Sequence, residues 1–282
     1  MKNIDLTNLK AYNPSFFVEE KGIYIYNYDS IKLMDKLIEE HPEGLFDMIF
    51  ADPPYFLSNG GITCYAGKMV KVDKGHWDKS KGLIENHSFN LEWLSRCQKL
   101  LNKNGTIWVT GTYHNIYSIG FGMQQLGMKI LNDISWEKPN PPPNLSRRYF
   151  THSTETIIWA AKNKNSKHLF NYDLIRHLNN GKQMKTVWQI PAPSNDEKLF
   201  GKHPTQKPLK LLELIIIAST NQNDLIFDPF LGSGTTAVAA IKLNRKVIGC
   251  EINQQYLDIA IKRIGAELVK IEQLPKFIMS IY

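Results

Sequence analysis

Short runs rich in β-branched and aromatic residues recur along this chain, separated by amphipathic stretches of helix length, and that alternation predicts a mostly parallel sheet covered by helices. Seven strands are expected, at 23–28 (IYIYNY), 45–51 (LFDMIFA), 106–111 (TIWVTG), 130–136 (ILNDISW), 155–161 (ETIIWAA), 224–228 (DLIFD) and 246–251 (KVIGCE). Helices are expected at 30–40, 90–102, 114–126, 208–220, 235–243 and 254–270. In the last of these, Leu257, Ile261, Ile264 and Leu268 follow spacings of four, three and four, which makes one apolar stripe for the core. Pro208 suits the first turn of its helix, where no amide hydrogen is needed.

Two regions break the alternation. Residues 56–88 carry Gly60, Gly61, Gly67, Gly75 and Gly82 with little apolar periodicity, which predicts a long loop of a kind that is usually functional or disordered. Residues 163–204 are polar and basic, and they separate a strand from a helix that could have been joined directly, so they read as an insertion. The chain then divides into 1–162, the insertion 163–204, and 205–282.

A length of 282 residues suits one large α/β domain with an inserted segment, or two small domains. Hydrophobic residues at 43% and charged residues at 22% are ordinary for a globular chain and exclude disorder, collagen and coiled coil as starting points. No apolar run approaches the roughly 18–20 residues of a membrane span, and MKNIDLTNLK has no apolar signal-peptide segment, so no membrane partner and a cytoplasmic location are expected. Cys64, Cys97 and Cys250 are odd in number and far apart, and His76, His87, His114, His152 and His203 show no ligand spacing; neither a disulfide framework nor a metal site is expected. Charge is uneven. Between 137 and 210 stand thirteen basic and five acidic residues, a net +8 in a chain of +7, so the remainder sums to −1. A solvated surface or a polyanion-binding one would both look like this.

Two motifs carry chemistry. Asp228-Pro-Phe-Leu-Gly-Ser-Gly-Thr-Thr-Ala237 runs from a strand end through a glycine turn into a helix, and Gly232, Gly234 and Ala237 satisfy G-x-G-x-x-G/A, a turn that lets a ligand approach backbone amides. Glu251 ends the next strand, where an acidic side chain commonly receives ribose hydroxyls. A nucleoside-containing cofactor follows, with dinucleotide and S-adenosylmethionine both open at this point. The second motif, Asp52-Pro53-Pro54-Tyr55, follows the strand LFDMIFA. The prolines fix the backbone and leave carbonyl oxygens to face a ligand, and strand carboxyl ends in a parallel sheet share one crevice.

Together, DPPY and FLGSGTT resemble the β-class DNA amino-methyltransferases of restriction–modification systems, in which the catalytic motif comes first, then the target-recognition segment, then the cofactor loop. The resemblance spans nearly the whole chain and includes His203-Pro-Thr-Gln-Lys-Pro208, Asn140-Pro-Pro-Pro143, Arg148, Phe150 and the run Glu155–Trp159. FLSNGG, NPPPNLS, RYFTHSTET and KHPTQKP look most like the DpnA-type adenine methyltransferases, whose target is GATC.

This resemblance implies a Rossmann-like S-adenosylmethionine-dependent fold, with helices on both faces of a seven-stranded sheet, acting on double-stranded DNA. It also implies a cognate restriction endonuclease as functional partner and, since family members are often dimers, a homodimer. Chemistry agrees with the family's mechanism. An exocyclic amine is a poor nucleophile because its lone pair is delocalised; Asp52 can accept one N–H and the Pro53 carbonyl the other, restoring density at nitrogen. No covalent intermediate is needed, and the chain lacks the Pro-Cys that methylation at cytosine C5 would require. The base must be flipped out of the duplex, with Tyr55 placed to stack on it. Asp52 at the first motif position resembles adenine enzymes, whereas cytosine-N4 enzymes usually carry Ser.

By the same resemblance the cofactor's adenosine lies near Asp29, a residue equally suited to cap the following helix. The ribose lies on Glu251 and the methionine end on Phe230, Gly232, Gly234, Thr235 and Thr236, with Thr205 and Lys207 close by; Asp228 and Ser233 of the same loop also belong to the cofactor site. Arg147, Arg148, Lys182 and Lys185 are the candidate DNA contacts, and Trp77 with the glycine-rich loop would close over the flipped base. The rival oxidoreductase reading shares the glycine signature, but only about 45 residues follow the loop and DPPY would have no task. A DNA-binding module with a dead cofactor fold is opposed by intact Asp52, Tyr55 and Gly232. Cytosine-N4 and RNA substrates stay open.

Overall fold

The computed structural model describes residues 7–58, 62–65, 68–71 and 78–273. Its elements are β1 (Phe16–Val18), β2 (Ile23–Asn27), α1 (Ser30–Glu40), β3 (Phe46–Ala51), β4 (Ile62–Tyr65), β5 (Lys68–Lys71), α2 (Leu83–Leu100), β6 (Leu101–Gly111), α3 (Ile116–Gln125), β7 (Lys129–Glu137), β8 (Thr154–Ala161), α4 (Tyr172–Leu178), β9 (Val187–Gln189), α5 (Leu209–Ser219), β10 (Leu225–Asp228), α6 (Thr235–Lys242), β11 (Lys246–Glu251) and α7 (Gln254–Gln273).

All seven expected strands form one sheet, in the order β1-β2-β11-β10-β3-β6-β8-β7-β9. The sheet therefore has nine strands rather than the expected seven. Both additions are three-residue edge strands, too short to show an alternation. β1 pairs antiparallel with β2. β9 lies inside the basic interval 163–204 and pairs parallel with β7 through Ser135↔Val187 to Glu137↔Gln189. That interval is thus tied into the domain: Ile175 of α4, Trp188 and Ile190 are buried in the same core as α5. The stretch 56–88 also contains more than loop, since β4 and β5 form a small antiparallel hairpin and α2 starts at Leu83.

From β2 through β11, β10 and β3 to β6 every pairing is parallel. β8 then runs antiparallel between β6 and β7. An antiparallel strand in this position is foreign to the 3-2-1-4-5-6 all-parallel order of dinucleotide-binding folds, which counts against the oxidoreductase reading. The two faces bury separate apolar clusters. On one, α1, α2 and α3 contribute Leu33, Leu37, Trp93, Leu94 and Ile119. On the other, α5, α6 and α7 contribute Leu211, Ile215, Ala237, Leu257, Ile264 and Leu268.

β3 and β10 are neighbours, joined through Ile226↔Met48 and Phe227↔Ile49. The chain leaves β10 toward β11 through α6 and leaves β3 toward β6 through α2, so the two strands flank a topological switch point, where a crevice opens at the carboxyl ends. Asp228 ends one of them and Asp52 follows the other.

Candidate active site

A cleft of about 490 Å³ occupies that switch point, within the size range of small-molecule sites. Asp52, Pro54 and Lys207 line one part of it; Asp228, Phe230, Gly232, Ser233, Thr235, Thr236 and Glu251 line another, with Asp29 and Thr205 also at the wall. Two motifs 180 residues apart in sequence therefore open into one space. Pro53, Tyr55 and Gly234 do not line it.

The glycine turn is closely packed. Gly232 and Gly234 have φ of 54° and 79°, the left-handed region that suits glycine. A Cβ at Gly234 would meet the Ala260 side chain of α7 at 2.8 Å, and one at Gly232 would meet the His203 ring at 3.2 Å. Arg263 of α7 supports the turn from below: its Nη1 donates to Ser233 O at 2.7 Å, Ser233 Oγ at 3.1 Å and Thr235 Oγ1 at 2.9 Å. Burial pushes this guanidinium down to about 10. The Ser233 and Thr235 hydroxyls are thus engaged inward, which makes the backbone the ligand-facing part of the turn.

Three carboxylates surround the turn. Glu251 accepts the amides of Gly232 and Asn253, both at 2.8 Å, one on each oxygen; each oxygen keeps a further lone pair that can receive a hydroxyl. Burial raises the Glu251 pKa against these hydrogen bonds. Asp228 accepts the Phe230 amide at 3.0 Å, and burial pushes it up to about 7. Asp29 caps α1 by accepting the Lys32 amide at 3.0 Å, and it also lines the cleft. The carboxylates and the Phe230 ring, itself held edge-on by Trp93 at 5.5 Å, fit a nucleoside with a positively charged tail.

At the DPPY turn, Asp52 is the centre of a polar cluster. Its Oδ1 accepts the Thr110 hydroxyl at 2.5 Å and the Tyr55 hydroxyl at 2.8 Å, and its Oδ2 accepts Lys207 Nζ at 2.5 Å. Tyr55 is only 6% exposed, its hydroxyl lies 3.1 Å from Glu155 Oε2, and Lys207 stands 5.2 Å from its ring centroid. Glu155 is in turn paired with Lys138 and lies 3.7 Å from Lys207. Burial alone would lower the Lys207 pKa, but Asp52 and Glu155 outweigh it and hold the ammonium above its ordinary value. Likewise burial would raise Glu155, and the Lys207 and Lys138 charges hold it low. Burial, then Asp52 and Glu155, push the Tyr55 phenol far up, so it stays a donor.

The turn is latched from behind. Asp78, 1% exposed, accepts the amides of Tyr55 (2.9 Å) and Leu57 (3.1 Å) and the Ser58 hydroxyl (2.8 Å). Asn115 donates to the Pro54 carbonyl at 3.2 Å.

The expected DNA contacts fall in two places. Arg147 and Arg148 are exposed on the connection 138–153, which rises from the carboxyl edge beside Glu155. Lys182 and Lys185 are exposed near the start of β9; Lys185 precedes Val187, the partner of Ser135, and so lies about 13 Å from that edge. Trp77 lies outside the described residues. Thr110, Lys138, Asp78 and Asn115 were missed as site residues. Thr110 alone gave a local signal, a hydroxyl near the carboxyl end of the apolar run TIWVTG; the others are assembled by strand register and loop packing.

Comparison with known proteins agrees with this geometry. Residues 46–262 match the N6/N4 DNA methylase family model, and the chain belongs to that family of DNA methyltransferases. Among its relatives are the Type II methyltransferase M2.LlaDCHI of Lactococcus lactis subsp. cremoris, 54% identical over 88% of this chain and 91% of the relative, and the Type II methyltransferase M2.DpnII of Streptococcus pneumoniae, 53% identical over 89% and 92%. The crystal structure of the M1.HpyAVI–SAM complex superposes with a TM-score of 0.66 at 32% identity, over 86% of this chain and 98% of that one. The cytosine-N4-specific PvuII DNA methyltransferase, 22% identical with a TM-score of 0.67, shares the fold. The methyl donor is S-adenosylmethionine and the partner is DNA. Among the described residues no helix is long and apolar enough to cross a membrane, and no group of metal-ligating side chains occurs.

Proposed function

We propose that this chain methylates the N6 amine of an adenine flipped out of double-stranded DNA, within GATC, as the modification enzyme of a restriction–modification system. What carries this reading is the single cleft into which Asp52 and Pro54 and the Gly232–Thr236 turn both open. S-adenosylmethionine held on the turn, with its ribose on Glu251 and adenosine near Asp29, supplies an electrophilic methyl on a sulfonium. The carboxylates facing the cleft suit that positive charge.

The chain's own residues prepare the amine. Asp52 accepts one N–H while the Pro53 carbonyl accepts the other, which favours the tetrahedral nitrogen, and Asp52 is the nearest base for the proton released as the N–C bond forms. Thr110 and Tyr55 fix Oδ1, leaving Oδ2 as the face that turns to the substrate. Lys207 holds that oxygen and must yield it; Glu155 gives the ammonium a second carboxylate, so its charge stays paired. Tyr55 acts first by fixing Asp52, and its ring meets the base once Lys207 has moved. Arg147 and Arg148 contact DNA near the flipped base. The location is cytoplasmic, the assembly a homodimer, and the functional partner an endonuclease of the same specificity.

The test uses the purified full chain, labelled S-adenosylmethionine and plasmid DNA, followed by digestion with enzymes blocked by methylation at GATC and at other adenine-containing sites. The expected result is label in N6-methyladenine, protection at GATC, and no transfer by Asp52→Ala with an unchanged circular dichroism spectrum. Label in cytosine, or in RNA alone, overturns the substrate.

A further inference from the structure

We propose that Phe150 is a wedge that enters the duplex and fills the stack left by the flipped adenine; this rests on the base-flipping reading above. The connection from β7 to β8 begins and ends at the active site. Glu137 and Thr154 are a register pair, Lys138 N–H donates to Ser153 O at 2.8 Å, and Lys138 is paired with Glu155. The connection therefore stands on the rim of the pocket that receives the base.

Its base is braced by rings. His152 stacks on Tyr113 at 4.7 Å with planes 18° apart, and Tyr149 lies 6.0 Å from His152. Tyr113 belongs to the turn after β6 whose Asn115 bonds the Pro54 carbonyl, so the brace reaches the DPPY turn itself. Between residues 149 and 152, Phe150 is the most exposed ring of the connection, at 96% against 62% for Tyr149. Arg147, with φ of 56°, turns the backbone three residues before it, and Arg147 and Arg148 are exposed cations on the same connection.

A lone exposed apolar side chain needs no explanation by itself. A phenylalanine that closely follows two exposed arginines, on a braced arm beside a base-accepting pocket, has the make-up of the apolar wedges that unstack base steps in other DNA-binding proteins. Extruding a base costs stacking and pairing energy, and an inserted ring recovers part of it.

The experiment measures kcat/KM for the full chain, Phe150→Ala and Phe150→Trp on two duplexes carrying the methylated sequence, one fully paired and one with an abasic site opposite the target adenine. On the paired duplex Phe150→Ala should lose at least about tenfold, the abasic duplex should cut that deficit to less than about threefold, and Phe150→Trp should recover most of the activity. Equal deficits on both duplexes, or none on the paired one, overturn the wedge. A shift to a smaller species in light scattering together with equal deficits assigns Phe150 to contact with a second copy instead. A wild-type chain silent on both duplexes removes the function reading and the wedge with it, whereas an active wild type with an unaffected Phe150→Ala removes the wedge alone.

Discussion

Lys207 Nζ lies 2.5 Å from Asp52 Oδ2 and 3.7 Å from Glu155, so one buried ammonium serves two carboxylates that would otherwise face each other across Tyr55. By resemblance Lys207 belongs to the cofactor; its geometry assigns it chiefly to Asp52. Replacing it with Met should lower kcat by about 100-fold, because Asp52 and Glu155 lose the cation they share. Affinity for S-adenosylmethionine, measured by calorimetry, should change by less than about threefold. A loss confined to cofactor affinity would return Lys207 to the cofactor.

Glu155 and Lys207 should be coupled. Glu155→Gln leaves Lys138 without its partner and Lys207 with Asp52 alone, at an expected cost of about 1–3 kcal/mol in stability. In a double-mutant cycle with Lys207→Met, chemical denaturation should return an interaction energy above about 1 kcal/mol. Additive losses would show that the 3.7 Å pair carries no energy.

Gly234 and Gly265 should respond in opposite directions to alanine. At Gly234 the left-handed backbone and the Ala260 contact oppose a Cβ, so Gly234→Ala should lose about 1–3 kcal/mol and weaken cofactor binding. At Gly265, inside α7, nothing lies within 4 Å, and alanine should gain about 0.5–1 kcal/mol. Thermal melts of the two variants check both signs.

Asp228 gives stability a pH dependence in the cofactor-free protein. Its folded pKa of about 7 lies above the ordinary 3.8. Below about pH 4 the group is neutral in both states and its contribution is full; as pH rises toward 7 the unfolded chain ionises first, so that stability is lost, on the order of 3 kcal/mol. Denaturant titrations from pH 4 to 8 should show the decline, and Asp228→Asn should flatten it. An unchanged slope in the variant would mean that Asp228 ionises normally in the folded protein.

The two arginines of the β7–β8 connection and the two lysines before β9 should differ in DNA binding. Arg147→Ala and Arg148→Ala should each reduce the salt dependence of DNA affinity by about one unit of slope, while Lys182→Ala and Lys185→Ala should leave it nearly unchanged. Filter binding at several salt concentrations tests this, and equal effects would place the duplex across both surfaces.

Where a run of apolar residues ends in a turn motif, local sequence was enough: α1 and β11 have the expected bounds, and the DPPY and glycine turns occupy neighbouring strands as the crevice argument requires. β9 is not legible because Val187-Trp188-Gln189 is too short to show a period, and Trp188 is buried by residues distant in sequence, Trp108 among them. The start of α2 was set seven residues late because Leu83 and Ile84, at 83% and 76% exposure, face away from the core and break the stripe. In the site, Asp52 and Tyr55 announce themselves by motif. Lys207 stands in the motif HPTQKP; the other partners, Thr110, Glu155 and Lys138, come from β6, β8 and the residue after β7, and register on the sheet tells which of these polar side chains converge.

Asp78 ties the backbone just after DPPY to a point 23 residues farther on, through bonds to Tyr55, Leu57 and Ser58. Both ends of the intervening segment are thereby fastened to one carboxylate. An insertion or deletion between residues 58 and 78 therefore leaves Asp52 in place, because the carboxylate, and not the length of chain between, sets where the DPPY turn sits.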